Sequence, residues 1–341
     1  MENINFDPNS PAVSDTIYGL PFDYKNAEII ILPVNWDVTV SYKEGTYLAP
    51  GRIKQASTQV DLFELLVPNA WLAGAYMLDE NPDIIETNKI YREKAKKIIK
   101  QFETGAQINK ELLNEINQKC AELNEWVYQQ AKKIINEGKI VALLGGDHST
   151  PFGYLKALSE KHEKFGILQI DAHADLRDSY EGFTCSHASI MYNVIHEIPQ
   201  VSKLVQVGVR DLCEEEYRII HKNNKIIPFF DYHIQSMKFC GKTWDFIVDE
   251  IISSLPEKVY ISFDVDGLSP DLCPNTGTPV PGGLSFNEIT YLFQKLVDSD
   301  KQIIGFDLVE TGISENEWDE NVSARLLYKL CAFTAKSLGK V

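Results

Sequence analysis

The chain alternates short apolar runs with longer segments of helical periodicity. Seven runs read as buried strands: Ala27–Val34, Ile140–Leu144, Phe165–Ile170, Lys203–Val209, Lys225–Phe230, Lys258–Phe263 and Gln302–Leu308. They are rich in Val, Ile, Leu and Phe and show little polar alternation, the pattern of strands covered on both faces. Helical patterns lie between most of them, as in Leu123–Glu137, Thr243–Leu255 and Phe286–Asp298. Strands alternating with helices predict an α/β fold, with a mainly parallel sheet between two helical layers. One stretch, from about 81 to 135, is strongly charged and helical throughout. Its segments Asn88–Phe102 and Asn109–Ile135, joined near Gly105, predict a helical hairpin that extends the first crossover. No repeat, low-complexity tract or Pro/Gly/Ser-rich linker divides the chain, so the expectation is one domain over 1–341 with a helical insertion.

Composition narrows the class. With 341 residues and 44% apolar side chains, the chain can bury a large core without staples. No apolar run approaches the ~20 residues that span a bilayer. Met1-Glu2-Asn3-Ile4-Asn5 lacks the basic and apolar regions of a signal peptide. Six cysteines, scattered and without a Cys-x-x-Cys pair, fit reduced thiols in a cytoplasm. The 33 basic and 49 acidic residues give a net charge of −16. That balance argues against nucleic-acid partners, which need clustered Lys and Arg. It suits a small cationic substrate, although a merely soluble acidic surface carries the same charge.

The chemistry follows the strands. In open α/β sheets, ligands bind beyond the carboxyl ends of the strands, and three apolar runs end there in metal-ligand residue types. Leu144-Gly145-Gly146-Asp147-His148-Ser149 turns sharply and presents His148. By itself this signal is weak, because a lone strand-end His is more often a core or capping residue. Asp171-Ala172-His173-Ala174-Asp175 places three polar side chains on one side of an extended segment, because extended chain has period two. Phe263-Asp264-Val265-Asp266-Gly267 does the same for two carboxylates. Acids so placed at the end of an apolar strand repel and desolvate one another unless a cation neutralises them. Together the clusters supply His148, Asp171, His173, Asp175, Asp264 and Asp266. Such a set is too large for one tetrahedral zinc, and carboxylate mixed with imidazole suits manganese. Six ligands hold two divalent ions when some Asp oxygens bridge, and paired ions activate a shared water for hydrolysis. Two further residues are candidates. Glu310, after the last strand, could grip a cationic group, and His187, in the loop after the second cluster, could shuttle protons to a leaving amine.

These motifs resemble those of the ureohydrolases, the family of arginase, agmatinase, formimidoylglutamase and the guanidino-acid hydrolases. The resemblance runs from about Ile30 to Lys329, the charged helical insertion excepted, and includes Ser41-Tyr42-Lys43-Glu44-Gly45-Thr46 and Pro50-Gly51-Arg52. It implies a three-layer α/β/α fold, two Mn2+ ions per subunit held by the six residues above, and a trimer or hexamer. It also implies that a metal-bridging hydroxide attacks the guanidinium carbon and releases urea and an amine. In that scheme Asp175, His187 and Glu310 are catalytic: a ligand, a proton relay and the acid that orients the guanidinium. Asp171–Met191, with Thr276-Gly277-Thr278-Pro279 and Pro281-Gly282-Gly283, looks most like agmatinases, which convert agmatine to urea and putrescine in polyamine biosynthesis. Arginases carry small polar residues where this chain has Leu176-Arg177-Asp178-Ser179-Tyr180, and an acid where it has Cys213. Ala188 stands where many members have Gly. The alternatives are another guanidino hydrolase, acting as an arginase, guanidinobutyrase, guanidinase or formimidoylglutamase, and a catalytically silent metal-binding homologue.

Overall fold

The computed structural model describes residues 6–12 and 15–341; the opening Met1–Asn5 lies outside the described residues. Eight strands form one parallel sheet: β1 Ile29–Val34, β2 Ala75–Met77, β3 Ile140–Gly145, β4 Phe165–Ile170, β5 Val201–Val207, β6 Ile226–Phe229, β7 Lys258–Asp264 and β8 Gln302–Val309. Their spatial order is β2-β1-β3-β8-β7-β4-β5-β6. All seven apolar runs become strands. The run at 203–209 forms its strand two residues early, at Val201–Val207, and Val209 falls in the following turn. β2 escaped the hydrophobic reading, because three residues at a sheet edge, one of them half-buried, leave almost no pattern.

Helices α1 Ala49–Ser57, α2 Pro82–Thr104, α3 Lys110–Asn136, α4 Phe152–Lys161 and α5 Ile190–Glu197 are followed by α6 Glu214–Lys222, α7 Asp231–Phe239, α8 Trp244–Ser253, α9 Phe286–Asp298 and α10 Trp318–Ser337. Every residue of β1, β3 and β4 is buried, which requires cover on both faces of the sheet. The result is the expected three-layer arrangement. Among the described residues no helix is long and apolar enough to cross a membrane. All six cysteines are free.

The charged stretch is a hairpin of α2 and α3. Asn81 caps the first helix through the Asp83 N–H, and Asn109 caps the second through the Leu112 N–H. Gly105 closes α2 in the left-handed conformation, with φ 65°. On α3, Ile116, Cys120, Leu123, Val127, Ala131 and Ile134 form a buried stripe at spacings of three and four, so the helix is charged on one side only. That stripe joins the core formed by the sheet. Contact with α4 is close because Gly153 has no side chain: a Cβ there would meet the Asn124 carbonyl oxygen at 2.1 Å. Gly153→Ala is expected to destabilise the protein by about 1–3 kcal/mol, the usual cost of overpacking. Chemical denaturation checks this, and an unchanged midpoint would show that the two helices can part freely.

Candidate metal centre

Cross-strand register explains why distant motifs meet. Leu144 pairs with Leu308, Leu308 with Phe263, and Phe263 with Ile170, so β3, β8, β7 and β4 end in one row. Each motif begins just past that row. Neighbouring strands lie about 4.8 Å apart, which brings side chains just past their ends within reach of one another.

Local turns then aim the ligands. After β3, a Cβ on Gly146 would lie 2.0 Å from the Trp36 carbonyl oxygen, so only glycine lets the chain pass and present His148. After β7, the Asp264 carboxylate accepts from the Asp266 N–H at 2.8 Å, which curls the segment and turns both acids inward. Asp175 and Glu310 both adopt the left-handed conformation, with φ of 54° and 61°, an uncommon state for residues other than glycine. Each is held there by its backbone. The Asp175 carbonyl accepts from the Met191 and Tyr192 N–H groups at the start of α5, both at 3.1 Å. The Glu310 N–H donates to the Gly146 carbonyl at 2.9 Å, and its own carbonyl accepts from Thr276 Oγ1 at 2.7 Å. Strain held in place this way is typical of functional sites.

All six expected ligands come together. His148 Nδ1 lies 3.0 Å from Asp171 Oδ2, 3.0 Å from Asp175 Oδ2 and 3.4 Å from Asp264 Oδ2. His173 Nδ1 lies 2.9 Å from Asp266 Oδ2 and 3.6 Å from Asp171 Oδ1. Two groups have the compactness of a metal site: His148 with Asp171 and Asp264, and Asp171 with His173 and Asp266. Asp171 belongs to both. His148 Nδ1 is buried and makes no hydrogen bond, although it points into this cluster of oxygens. An imidazole nitrogen ringed by three carboxylates, yet aligned for a hydrogen bond with none of them, fits metal ligation.

By the protein's own charges alone the cluster is frustrated. Burial, then the charge of Asp171, pushes Asp175 up to about 7. Burial with Asp266 and Asp171 raises Asp264 well above the carboxylate range. Burial would depress His173, but Asp266 and Asp171 outweigh it and lift the ring to about 12. A divalent cation among these groups removes the repulsion.

A supporting layer stands behind the ligands. His148 Nε2 lies 2.9 Å from Ser262 Oγ, and Ser262 donates to Asp307 Oδ1 at 3.2 Å. Asp307 also accepts from the Tyr260 hydroxyl at 2.7 Å. Gln169 Nε2 donates to Asp171 Oδ2 at 2.8 Å. The sequence reading did not single these out. The available signal was a buried-type acid inside the apolar run Gln302–Leu308, together with Tyr260, Ser262 and Asp264 on one face of β7 at period two.

Above the cluster opens a cleft of about 180 Å³, lined by Ser41, His173, Asp175, Arg177, Tyr180, His187, Ala188, Asp211, Leu212, Glu216 and Thr278. His187 thus shares the cleft wall with His173 and Asp175. Burial, with His173 and His148 nearby, depresses it to about 3, and its ring meets Tyr180 edge-on. Glu216 is not free for a ligand: its carboxylate accepts from the Leu176 N–H at 3.0 Å and the Cys213 N–H at 2.9 Å. Glu310 stands beside the cluster rather than in the cleft wall. Its Oε1 accepts from the His148 N–H at 2.9 Å, and burial, with Asp147 close by, raises its pKa well above the usual value.

Comparison with known proteins agrees with this geometry. A profile of the Arginase family matches residues 27–332. The chain belongs to the arginase family. It is 30% identical over 320 residues to an N(1)-aminopropylagmatine ureohydrolase of Thermus thermophilus, covering 89% of each chain. It is 31% identical over 316 residues to an agmatinase of Pyrococcus horikoshii, covering 92% of this chain and 94% of that one. The agmatine ureohydrolase of Thermoplasma volcanium shares the fold, with a TM-score of 0.71 at 22% identity over 96% of both chains. The protein is thus a hydrolase acting on guanidino groups.

Two outcomes test the site. Chelator-stripped protein should lose stability as pH rises from about 4 to about 7, because four acids ionise there when unfolded but hold their protons when folded: Asp147 and Asp175, both pushed up to about 7, and Asp264 and Glu310, raised well above their usual values. His187 and His162, which burial depresses to about 3 and about 4, act in the opposite direction and are outweighed. His173, raised to about 12, acts in the same direction above its unfolded value. Denaturation of stripped protein across that range reads the slope, and a rising stability contradicts it. Separately, Ser262→Ala should weaken metal affinity about 10- to 100-fold by freeing the His148 ring, which competition with a chelating dye measures.

Proposed function

We propose that this protein is a binuclear manganese ureohydrolase that converts agmatine to putrescine and urea. The observation that carries the reading is the pair of ligand groups sharing Asp171 at the floor of the cleft. Oxygen-rich ligands with two imidazoles and no thiolate suit Mn2+. When bound, a pair of such ions supplies a water that is nucleophilic near neutral pH. The protein's own residues do the rest. His148, Asp171, Asp175 and Asp264 would hold one ion, and Asp171, His173 and Asp266 the other. His187 lines the cleft with His173 and Asp175, in place to relay a proton to the leaving amine. Glu310, buried among other acids, is relieved by a guanidinium cation and so orients it.

Agmatine is supported by the agmatinase relatives and by Cys213, which follows the cleft-lining Leu212 and precedes α6 where arginases carry an acid. Asp211, exposed in the cleft lining, suits the distal ammonium of a diamine. A second reading, N(1)-aminopropylagmatine, is supported by relatives of that name in Thermus and Synechocystis, and the two substrates share the guanidinobutyl end. The reading places the enzyme in the cytoplasm as a homo-oligomer, trimer or hexamer.

Urea release with added Mn2+, across agmatine, N(1)-aminopropylagmatine, arginine and guanidinobutyrate, tests this. Turnover is expected with agmatine or its aminopropyl derivative and should be lost, by at least about a hundredfold, in Asp175→Asn along with tightly held metal. Asp178→Asn should keep its metal. No turnover of any guanidine by metal-loaded protein would leave a silent metal-binding homologue as the answer.

A further inference from the structure

The helical hairpin, which lies outside the ligand motifs, contacts both loops that wall the cleft. The first loop follows β1 and carries Ser41, a cleft-lining residue. Asn88 of α2 holds its start: the Asp37 N–H donates to Asn88 Oδ1 at 2.7 Å, and Asn88 Nδ2 donates to Asp37 Oδ1 at 2.9 Å. One turn further along α2, Arg92 reaches across the same loop. Its Nη1 donates to the carbonyls of Val38 at 3.0 Å and Val40 at 2.6 Å, and its Nε donates to Glu44 Oε2 at 2.9 Å. One turn beyond, Lys96 donates to Glu44 Oε1 at 3.0 Å. Residues 88, 92 and 96 share one helix face by their spacing of four. Asp37 completes the loop from inside by accepting from the Gly45 N–H at 2.7 Å.

The second loop, between Leu176 and His187, carries Arg177, Tyr180 and His187 into the cleft. Asn117 of α3 grips its tip from both sides: Nδ2 donates to the Gly182 carbonyl at 3.0 Å, and Oδ1 accepts from the Thr184 N–H at 3.2 Å. Gly182, with φ 79°, lies so close to the hairpin that a Cβ would meet Leu113 at 2.7 Å and Phe102 at 3.3 Å.

We propose that the hairpin braces the substrate cleft, and that Arg92 is a positioning residue that fixes the Ser41 loop and thereby sets substrate affinity. Arg92 is almost wholly buried, with its charge shared between two loop carbonyls and one carboxylate. A planar guanidinium serves three acceptors at fixed angles, which a lysine cannot reproduce. The loop it holds bonds to the 274–277 segment through Lys43 Nζ and the Pro274 carbonyl at 3.4 Å. The Lys43 carbonyl also stands 3.7 Å from a Cβ position on Gly277, where Glu310 Oε2 stands at 3.2 Å. The Ser41 loop therefore reaches the flank of the catalytic centre without contributing a metal ligand.

The inference rests on the proposed ureohydrolase reading for its kinetic test only. In the Mn2+-loaded full-length enzyme, Arg92→Ala should raise KM for agmatine about tenfold while kcat stays within about twofold, the signature of lost substrate binding without lost chemistry. Arg92→Lys should recover only part of that. Manganese content should be unchanged, and amide exchange should quicken across residues 37–48 while 171–175 stays protected. Glu44→Gln, a milder change at a half-exposed partner, should raise KM in the same direction and decides the matter if Arg92→Ala fails to fold. An unmoved KM in the variants that fold, or a rise in KM without faster exchange in 37–48, overturns the proposal. If the wild-type enzyme hydrolyses no guanidine, the ureohydrolase reading fails, and the exchange measurement still decides whether the hairpin holds the loop.

Discussion

Four carboxylates and two imidazoles crowded at the ends of buried strands dominate this molecule. Apolar strands leave no solvent to absorb the charge, and each acid makes its neighbours harder to ionise. Removing an ion from water costs several kcal/mol even after relaxation, so the arrangement persists only because the surrounding fold over-determines it and a cation can repay it. Most of what lies near the cluster serves one of those two ends. Glycine at 146 lets the chain pass, the left-handed Asp175 and Glu310 are pinned by backbone bonds, and the Ser262–Asp307 pair fixes one ring.

Sheet order turns this local problem into a global one. Residues 148, 171, 264 and 310 are far apart in the chain, yet their strands are the four contiguous central ones. A right-handed sequence of crossovers alone would not place them side by side; β8 had to insert between β3 and β7. Level strand ends, set by the cross-strand register, then let short motifs of one to four residues do the aiming. The same logic explains why the outer strands β2 and β6 contribute no ligand: they lie too far from the row.

Much of this was legible in the sequence, for identifiable reasons. Strands buried on both faces are mostly apolar, so β1, β3, β4, β7 and β8 announce themselves despite the buried Gln169, Ser262 and Asp307. Spacing of two pointed to Asp171, His173, Asp175, Asp264 and Asp266, and with His148 they do converge, but the chain there is not extended as expected: Val265–Gly267 is a 3-10 turn and Asp175 is left-handed, so tight turns rather than the strand period bring the groups together. What stayed hidden depends on long-range pairing. β2 is too short to carry a pattern. Ser262 and Asp307 look like ordinary strand residues until their partners are known. Asn88, Arg92 and Asn117 read as helix-surface polar groups, because nothing near them in sequence reveals the loops they hold. Glu310 was placed correctly after β8, but its bond to the His148 N–H follows only from the fold.

The row of level strand ends also bears on how the chain reaches its native state. Ligands drawn from β3, β4 and β7 share no local neighbourhood, so no early fragment offers a complete cage. A cation meets all six donors only once the centre of the sheet has zipped shut. Parting those strands would scatter the donors, so retention of a bound cation and integrity of the sheet's centre stand or fall together.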